Sequence, residues 1–306
     1  MERITEMMQS QTTIGTLNQQ LNALDNTGTE LSTGLSINQP SDNPYGTALA
    51  LQLNGQLSAL GAYTSSVNDG AAWTSQADSS LQNISEQLQS VRELVVQGTN
   101  GTNTQAELSA SAAAVNQLIA GVKQDANAQY NGQYIFSGTT TATAAYPQGS
   151  NDAYQGNSGA IDRTIGPGGT TVQVNTDLSQ LLGAGQTVSG QPGGDGLLLN
   201  TLRNVVDDLH AGSTASLGND LTALDANMAT LGQLQANVGS VQDQLQMASS
   251  RIQNLQTDVQ SQLSSTEDVN MAAAMTQYTT QQASYNAALQ VSAKVLQTDS
   301  LANFLS

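Results

Sequence analysis

The sequence predicts a mainly α protein, a long helical bundle and coiled coil formed by the paired N- and C-terminal regions, with a small β-rich insert in the middle. Three observations carry this. Near the N-terminus Ile14, Leu17, Leu21, Leu24, Gly28, Leu31 and Leu35 step by 3, 4, 3, 4, 3, 4, the spacing that lines one face of a supercoiled helix. Val238, Val241, Leu245, Ala248, Ile252, Leu255 and Val259 repeat it near the C-terminus. Between these stripes, from Gly138 to Gly196, lie 13 of the 28 glycines and three of the five prolines, a texture that interrupts helices. A helix cannot hide its own apolar stripe, so the simplest arrangement lets one end of the chain cover the other.

In chain order, the first helix is expected from about Ile4 to Leu31, ending near Gly34. Pro40, Pro44 and Gly46 then interrupt helical geometry within a few residues, marking a hinge or boundary. Leu49, Leu53, Leu57 and Leu60 restart the period, and Leu81, Ile84, Leu88, Val91 and Val95 carry it to Gly98. The loop from Gly98 to Asn103 reverses the chain, and Leu108, Ala112, Val115, Ile119, Val122 and Ala126 form the returning strip of a helical hairpin. The texture changes at Asn131. Within the insert, Ile161–Ile165 and Thr171–Val174 alternate on either side of Gly166–Gly169, which reads as a β-hairpin. Helical spacing resumes at Leu197 and persists, with a break near Ser264, almost to Ser306. This gives a terminal coiled-coil domain from residues 1–42 and 266–306, a helical bundle domain from 43–136 and 197–265, and a surface insert at 137–196.

Composition narrows the function. Aromatic residues make up 4% and charged residues 10% of the 306 positions, so the helices gain more from length and neighbours than from single anchors. Seven Lys and Arg against 24 Asp and Glu leave a formal charge of -17. Nucleic acid and anionic membranes are both disfavoured partners, because each requires cations at the contact. With no cysteine there is neither a disulfide framework nor a thiolate metal site. The N-terminal segment lacks the basic–apolar–small pattern of a cleavable secretory signal, and no window has the apolar length of a membrane span.

The search for chemistry is negative. His210 follows Asp207 and Asp208, but adjacent helical positions diverge and no second His or Cys completes a ligand set, so a solvated helix face explains the group. Gly183, Gly185, Gly193, Gly194 and Gly196 lack the following Lys and the strand-to-helix turn of a phosphate loop. Asn83-Ile84-Ser85 and Asn100-Gly101-Thr102 match a glycosylation sequon, a pattern that chance supplies often in an Asn- and Ser-rich chain. No enzyme activity, cofactor, metal or small-molecule substrate is expected.

The segment Glu30–Ala50, ELSTGLSINQPSDNPYGTALA, resembles the N-terminal signature of the bacterial flagellin family. The run from Pro40 to Pro44, the segment NGQYIFSGTTT from Asn131 to Thr141, and the stretch from Ser265 to Leu305 resemble the hook-associated branch of that family. The resemblance implies terminal helices paired at the inner wall of a tube, an outer helical layer, and a surface domain. It also implies export unfolded through the flagellar type III apparatus, and a layer between hook and filament touching copies of itself, hook-associated protein 1 and flagellin. A filament-forming flagellin is the alternative, disfavoured by Pro40, Pro44 and the YIFSG segment. The expected assembly surface comprises Ile14, Leu17, Leu21, Leu24, Leu31 and Leu35 with Met271, Met275, Tyr278, Tyr285 and Leu289. Leu296, Leu301, Phe304 and Leu305 form the densest apolar cluster at that end; an exposed cluster needs covering, and the resemblance implies an export chaperone as its first cover.

Overall fold

The computed structural model describes residues 2–183 and 197–304, with side chains described at 8, 10–183 and 197–294. The helices are α1 (Glu2–Thr33), α2 (Pro44–Gly98), α3 (Gln105–Ala126), the short α4 (Ser179–Leu182), α5 (Leu198–Ala211), α6 (Thr214–Glu267) and α7 (Met271–Phe304). The strands are β1 (Gln129–Tyr130), β2 (Gln133–Tyr134), β3 (Asp162–Gly166) and β4 (Thr170–Gln173). The chain forms two compact units, one of residues 1–59 with 255–306 and the other of residues 60–254.

The larger unit is built on heptad stripes. Val67, Leu81, Ile84, Leu88, Val91 and Val95 of α2 are buried, as is every member of the predicted α3 strip from Leu108 to Ala126. Each buried Val, Leu or Ile among them contributes about 1.5–3 kcal/mol. α6 runs antiparallel to α2: Arg92 pairs with Asp225 at 2.8 Å, while Leu245 lies against Gly70. A Cβ at Gly98 would sit 2.7 Å from Leu209 Cδ2 and 3.2 Å from Leu217 Cδ1, so a glycine lets the end of α2 approach α5 and α6 closely. α3 starts at a capping box, in which Thr104 Oγ1 accepts the Glu107 N–H and the Glu107 carboxylate accepts the Thr104 N–H.

Two hairpins follow α3. β1 and β2 are joined by Asn131 (φ 49) and Gly132 (φ 76), the two positive-φ positions of a type I′ turn. β3 and β4 pair from Asp162↔Gln173 to Gly166↔Thr170 with a bulge between Thr164 and Gly166, which bears out the hairpin expected around Gly166–Gly169. Arg163 fastens it to α2, pairing with Asp69 at 2.7 Å and lying 5.8 Å over the Trp73 ring.

Most of the connecting chain is irregular and is held by side chains. Lys123, 1% exposed, donates to Gly149 O, Asn151 O and Asp152 Oδ1 at 2.7–3.0 Å, and Arg203 holds the same carboxylate. Tyr146, Leu178 and Leu181 are fully buried. The sequence suggested a surface insert at 137–196, and these members of it are buried side chains. Two other expectations shift. The stripe from Val238 to Val259 lies in α6, where Val238, Leu245 and Ile252 are buried in the unit that contains the α2 core, so it is not the partner of α1; α7 is. The C-terminal break falls at Asp268–Asn270 rather than Ser264, because Asn270 caps α7 by accepting the Ala273 N–H at 3.1 Å.

Replacing Lys123 with Met should destabilise the folded state by up to about 3 kcal/mol in urea unfolding, since buried carbonyls and Asp152 lose a charged donor. Asp220, 8% exposed on the packed face of α6, sits beside Asp208; burial first, and then that carboxylate, push its pKa from 3.8 to about 7. A carboxyl raised in the folded state favours folding below the unfolded value, and this support is lost as pH rises through about 7. Asp220→Asn should therefore raise the melting temperature more at pH above about 7 than near pH 4.

Candidate assembly interface

The crossing between α1 and α2 is set by local chemistry. Gly34 ends α1 in the left-handed conformation (φ 77), its N–H bonding Glu30 O at 2.8 Å. The Asp42 carboxylate accepts the Asn38 and Gln39 N–H groups, Asn43 Oδ1 accepts the Gly46 N–H, and Pro44 opens α2. The predicted hinge is this capped loop. It is stitched to the break between α6 and α7: Ser36 N–H bonds Glu267 O at 2.6 Å, Val269 N–H bonds Gly34 O at 2.9 Å, and Leu35 forms a bridge with Asp268.

From this stitch α1 and α7 run antiparallel. On α1 the sheltered positions include Thr13, Leu17, Gln20, Leu24, Thr27 and Leu31; on α7 they are Ala274, Tyr278, Gln281, Tyr285, Ala288 and Ser292 among the described side chains. Both sets step by fours and threes, a two-helix seam. The seam is polar and small. Gln20 Oε1 and Gln281 Oε1 are buried there without a hydrogen-bond partner, and the Tyr278 ring lies 3.5 Å from where a Cβ on Gly28 would stand.

The expected interface residues therefore divide. Leu17, Leu24, Leu31, Leu35, Tyr278 and Tyr285 are half-buried, whereas Ile14 (56%), Leu21 (38%), Met271 (49%), Met275 (58%) and Leu289 (42%) are exposed. At 100° per residue, Ile14 and Leu21 sit roughly a quarter turn from the centre of the α1 seam, and Met275 and Leu289 are displaced in the same rotational sense on α7, whereas Met271, seven residues before Tyr278, stands in line with the seam. In an antiparallel pair, equal offsets fall on the same side. The pair thus carries one bare apolar edge beside a filled polar seam. Gln20, Thr27, Ala274 and Gln281 went unrecognised in the sequence because a search for apolar periodicity passes over them; their seven-residue spacing was the available signal. Leu296, Leu301, Phe304 and Leu305 lie outside the described side chains.

Elsewhere, His210 and Asp207 are exposed, and the His210 carbonyl accepts from Gln105 Nε2. Among the described residues no group of three His, Cys, Asp or Glu side chains is placed to hold a metal ion, and no helix is long and apolar enough to cross a membrane.

Comparison with known proteins agrees with this architecture. Residues 4–141 match the bacterial flagellin N-terminal helical region, and residues 221–305 match the bacterial flagellin C-terminal helical region. Flagellin of Salmonella muenchen is 30% identical over 202 residues, 56% of this chain and 40% of the relative. Flagellin of Salmonella typhimurium is 31% identical over 128 residues, 42% of this chain and 26% of the relative. The chain thus spans less than half the length of these relatives. Among solved structures, a Vibrio parahaemolyticus protein assigned as a flagellar hook-associated protein superposes with TM-score 0.66 at 24% identity, covering 74% of this chain and 100% of that one. Flagellar hook-associated protein-3 of Legionella pneumophila gives 0.60 at 13%, covering 70% and 98%. At such identities the likeness is one of fold. With both helical regions matched across most of its length, the chain belongs to the bacterial flagellin family, structural proteins of the flagellum rather than enzymes.

Proposed function

We propose that this chain forms the junction layer between the flagellar hook and the flagellin filament, adapting a curved structure to one of different mechanics. The observation that carries the reading is extent: the chain spans nearly the whole of the solved hook-associated chains but 26–40% of the matched flagellins. In this reading copies of the chain associate laterally through the apolar edge of Ile14, Leu21, Met275 and Leu289, with hook-associated protein 1 on one side and flagellin on the other. Before export a chaperone covers the cluster Leu296, Leu301, Phe304 and Leu305. The second reading, a filament subunit, is favoured by the flagellin matches themselves. Addition of purified protein to flagellin seeds separates the two, since a junction protein does not elongate into filaments. Cells lacking it should retain the hook, lose the filament and shed flagellin into the medium.

The polar seam leaves α1 and α7 dependent on neighbours for order. Hydrogen exchange of the isolated subunit should be faster at Leu17–Leu24 and Tyr278–Tyr285 than at Leu81–Val95, and equal protection would remove the argument for ordering on assembly.

Leu21→Asp or Met275→Asp should abolish incorporation into the junction while leaving the melting of the larger unit unchanged, because neither side chain enters its core. Raising the salt should strengthen self-association, as screening relieves repulsion between subunits of charge -17.

A further inference from the structure

Three Asn-Gly pairs occur in this chain, at Asn54-Gly55, Asn100-Gly101 and Asn131-Gly132, and the fold places them in very different surroundings. Such a pair is the least hindered setting for an asparagine to react with its own backbone, because glycine offers an amide nitrogen with no side chain beside it. Whether it reacts depends on how firmly that amide and the side chain are held.

Asn54 lies inside α2, where the Gly55 N–H belongs to the helical ladder and Asn54 Nδ2 donates to Ala50 O at 3.0 Å. Asn131 occupies a two-residue hairpin turn at φ 49, locked by the pairs Tyr130↔Gln133 and Gln129↔Tyr134. Asn54 must open the helical ladder before it can cyclise, and Asn131 must leave the positive φ that the hairpin pairs on either side impose. Asn100 sits with Gly101 and Thr102 on the exposed loop between α2 and α3, outside any helical or strand ladder, and the Gly101 N–H donates to no group among the described residues. The Thr102 hydroxyl donates to Asn100 Oδ1 at 3.1 Å, which polarises the amide and stabilises negative charge developing on that oxygen.

We infer that Asn100 is a site of spontaneous, water-driven conversion to aspartate and isoaspartate, and that it reacts ahead of the other two pairs. The Gly101 nitrogen gives its proton to solvent and bonds Asn100 Cγ; the bond from Cγ to the side-chain nitrogen breaks and ammonia leaves. Water then opens the five-membered imide at either of its two C–N bonds, giving the normal or the β-linked main chain. The β-linked product adds a carbon to the loop that is closed by Asn100 N–H to Gln97 O (3.1 Å) and Asn103 N–H to Asn100 O (3.3 Å). Both products add a negative charge to a chain already at -17. The tip of the α2–α3 hairpin thereby records the age of the molecule.

The test is incubation of the full-length protein in mildly alkaline buffer, followed by peptide mapping and labelling with an isoaspartyl methyltransferase. Conversion at Asn100 should outpace Asn54 and Asn131 by about tenfold or more, since those two must first unfold locally. Gly101→Ala and Thr102→Val should each slow the reaction at position 100 and leave the other two rates alone. Equal rates at the three sites in the wild-type protein, or intact Asn100 after the others have converted, would overturn the inference. An unchanged rate in Thr102→Val would remove the hydroxyl from it.

Discussion

Two backbone hydrogen bonds, Ser36 N–H to Glu267 O and Val269 N–H to Gly34 O, set the register on which the terminal pair depends. They join a loop after α1 to the interruption before α7, although more than two hundred residues separate them in the chain. Once Leu35 and Asp268 face each other, every later contact of α1 with α7 follows from helical rise: Gly28 meets Tyr278, and the two glutamines fall inside the seam. The caps that make the interruptions, Gly34, Asn43 with Pro44, and Asn270, therefore matter more for placing the interface than the apolar residues that line it. A seam in which Leu17, Leu24 and Leu31 alternate with Thr and Gln and face Ala, Gln, Ser and Tyr offers few large apolar contacts with which to choose its own register.

The same point explains what could be read from the sequence and what could not. Leu108 to Ala126 was legible because all six strip positions are apolar and all six are buried, and the β3–β4 hairpin because GPGG leaves the chain few other conformations. Periodicity shows that a stripe exists but not what covers it. The stripe from Val238 to Val259 satisfies the pattern as well as any terminal partner would, yet it lies in α6, and α1 takes α7, whose seam positions are Ala, Tyr, Gln and Ser. In the middle of the chain, the irregular segment is fixed by Lys123, Asp152, Arg203 and Tyr146, whose partners are distant in sequence and leave no local signal.

Charge is distributed to the same end. Of seven cationic side chains, Arg92, Lys123, Arg163 and Arg203 are engaged with aspartates inside the larger unit. They serve internal docking, and the acidic excess that remains makes copies of the chain repel one another at low salt.

The stitch between the two interruptions also has a mechanical character. Two short links side by side resist sliding, because slip along an antiparallel bridge misaligns both hydrogen bonds at once. They resist bending far less, since tilting the terminal pair requires rotation only about the few non-helical bonds of residues 34–43 and 268–270. Loads along the axis and loads across it would thus be met by different parts of the chain, with thrust carried by the bridge and flexure absorbed in the loops.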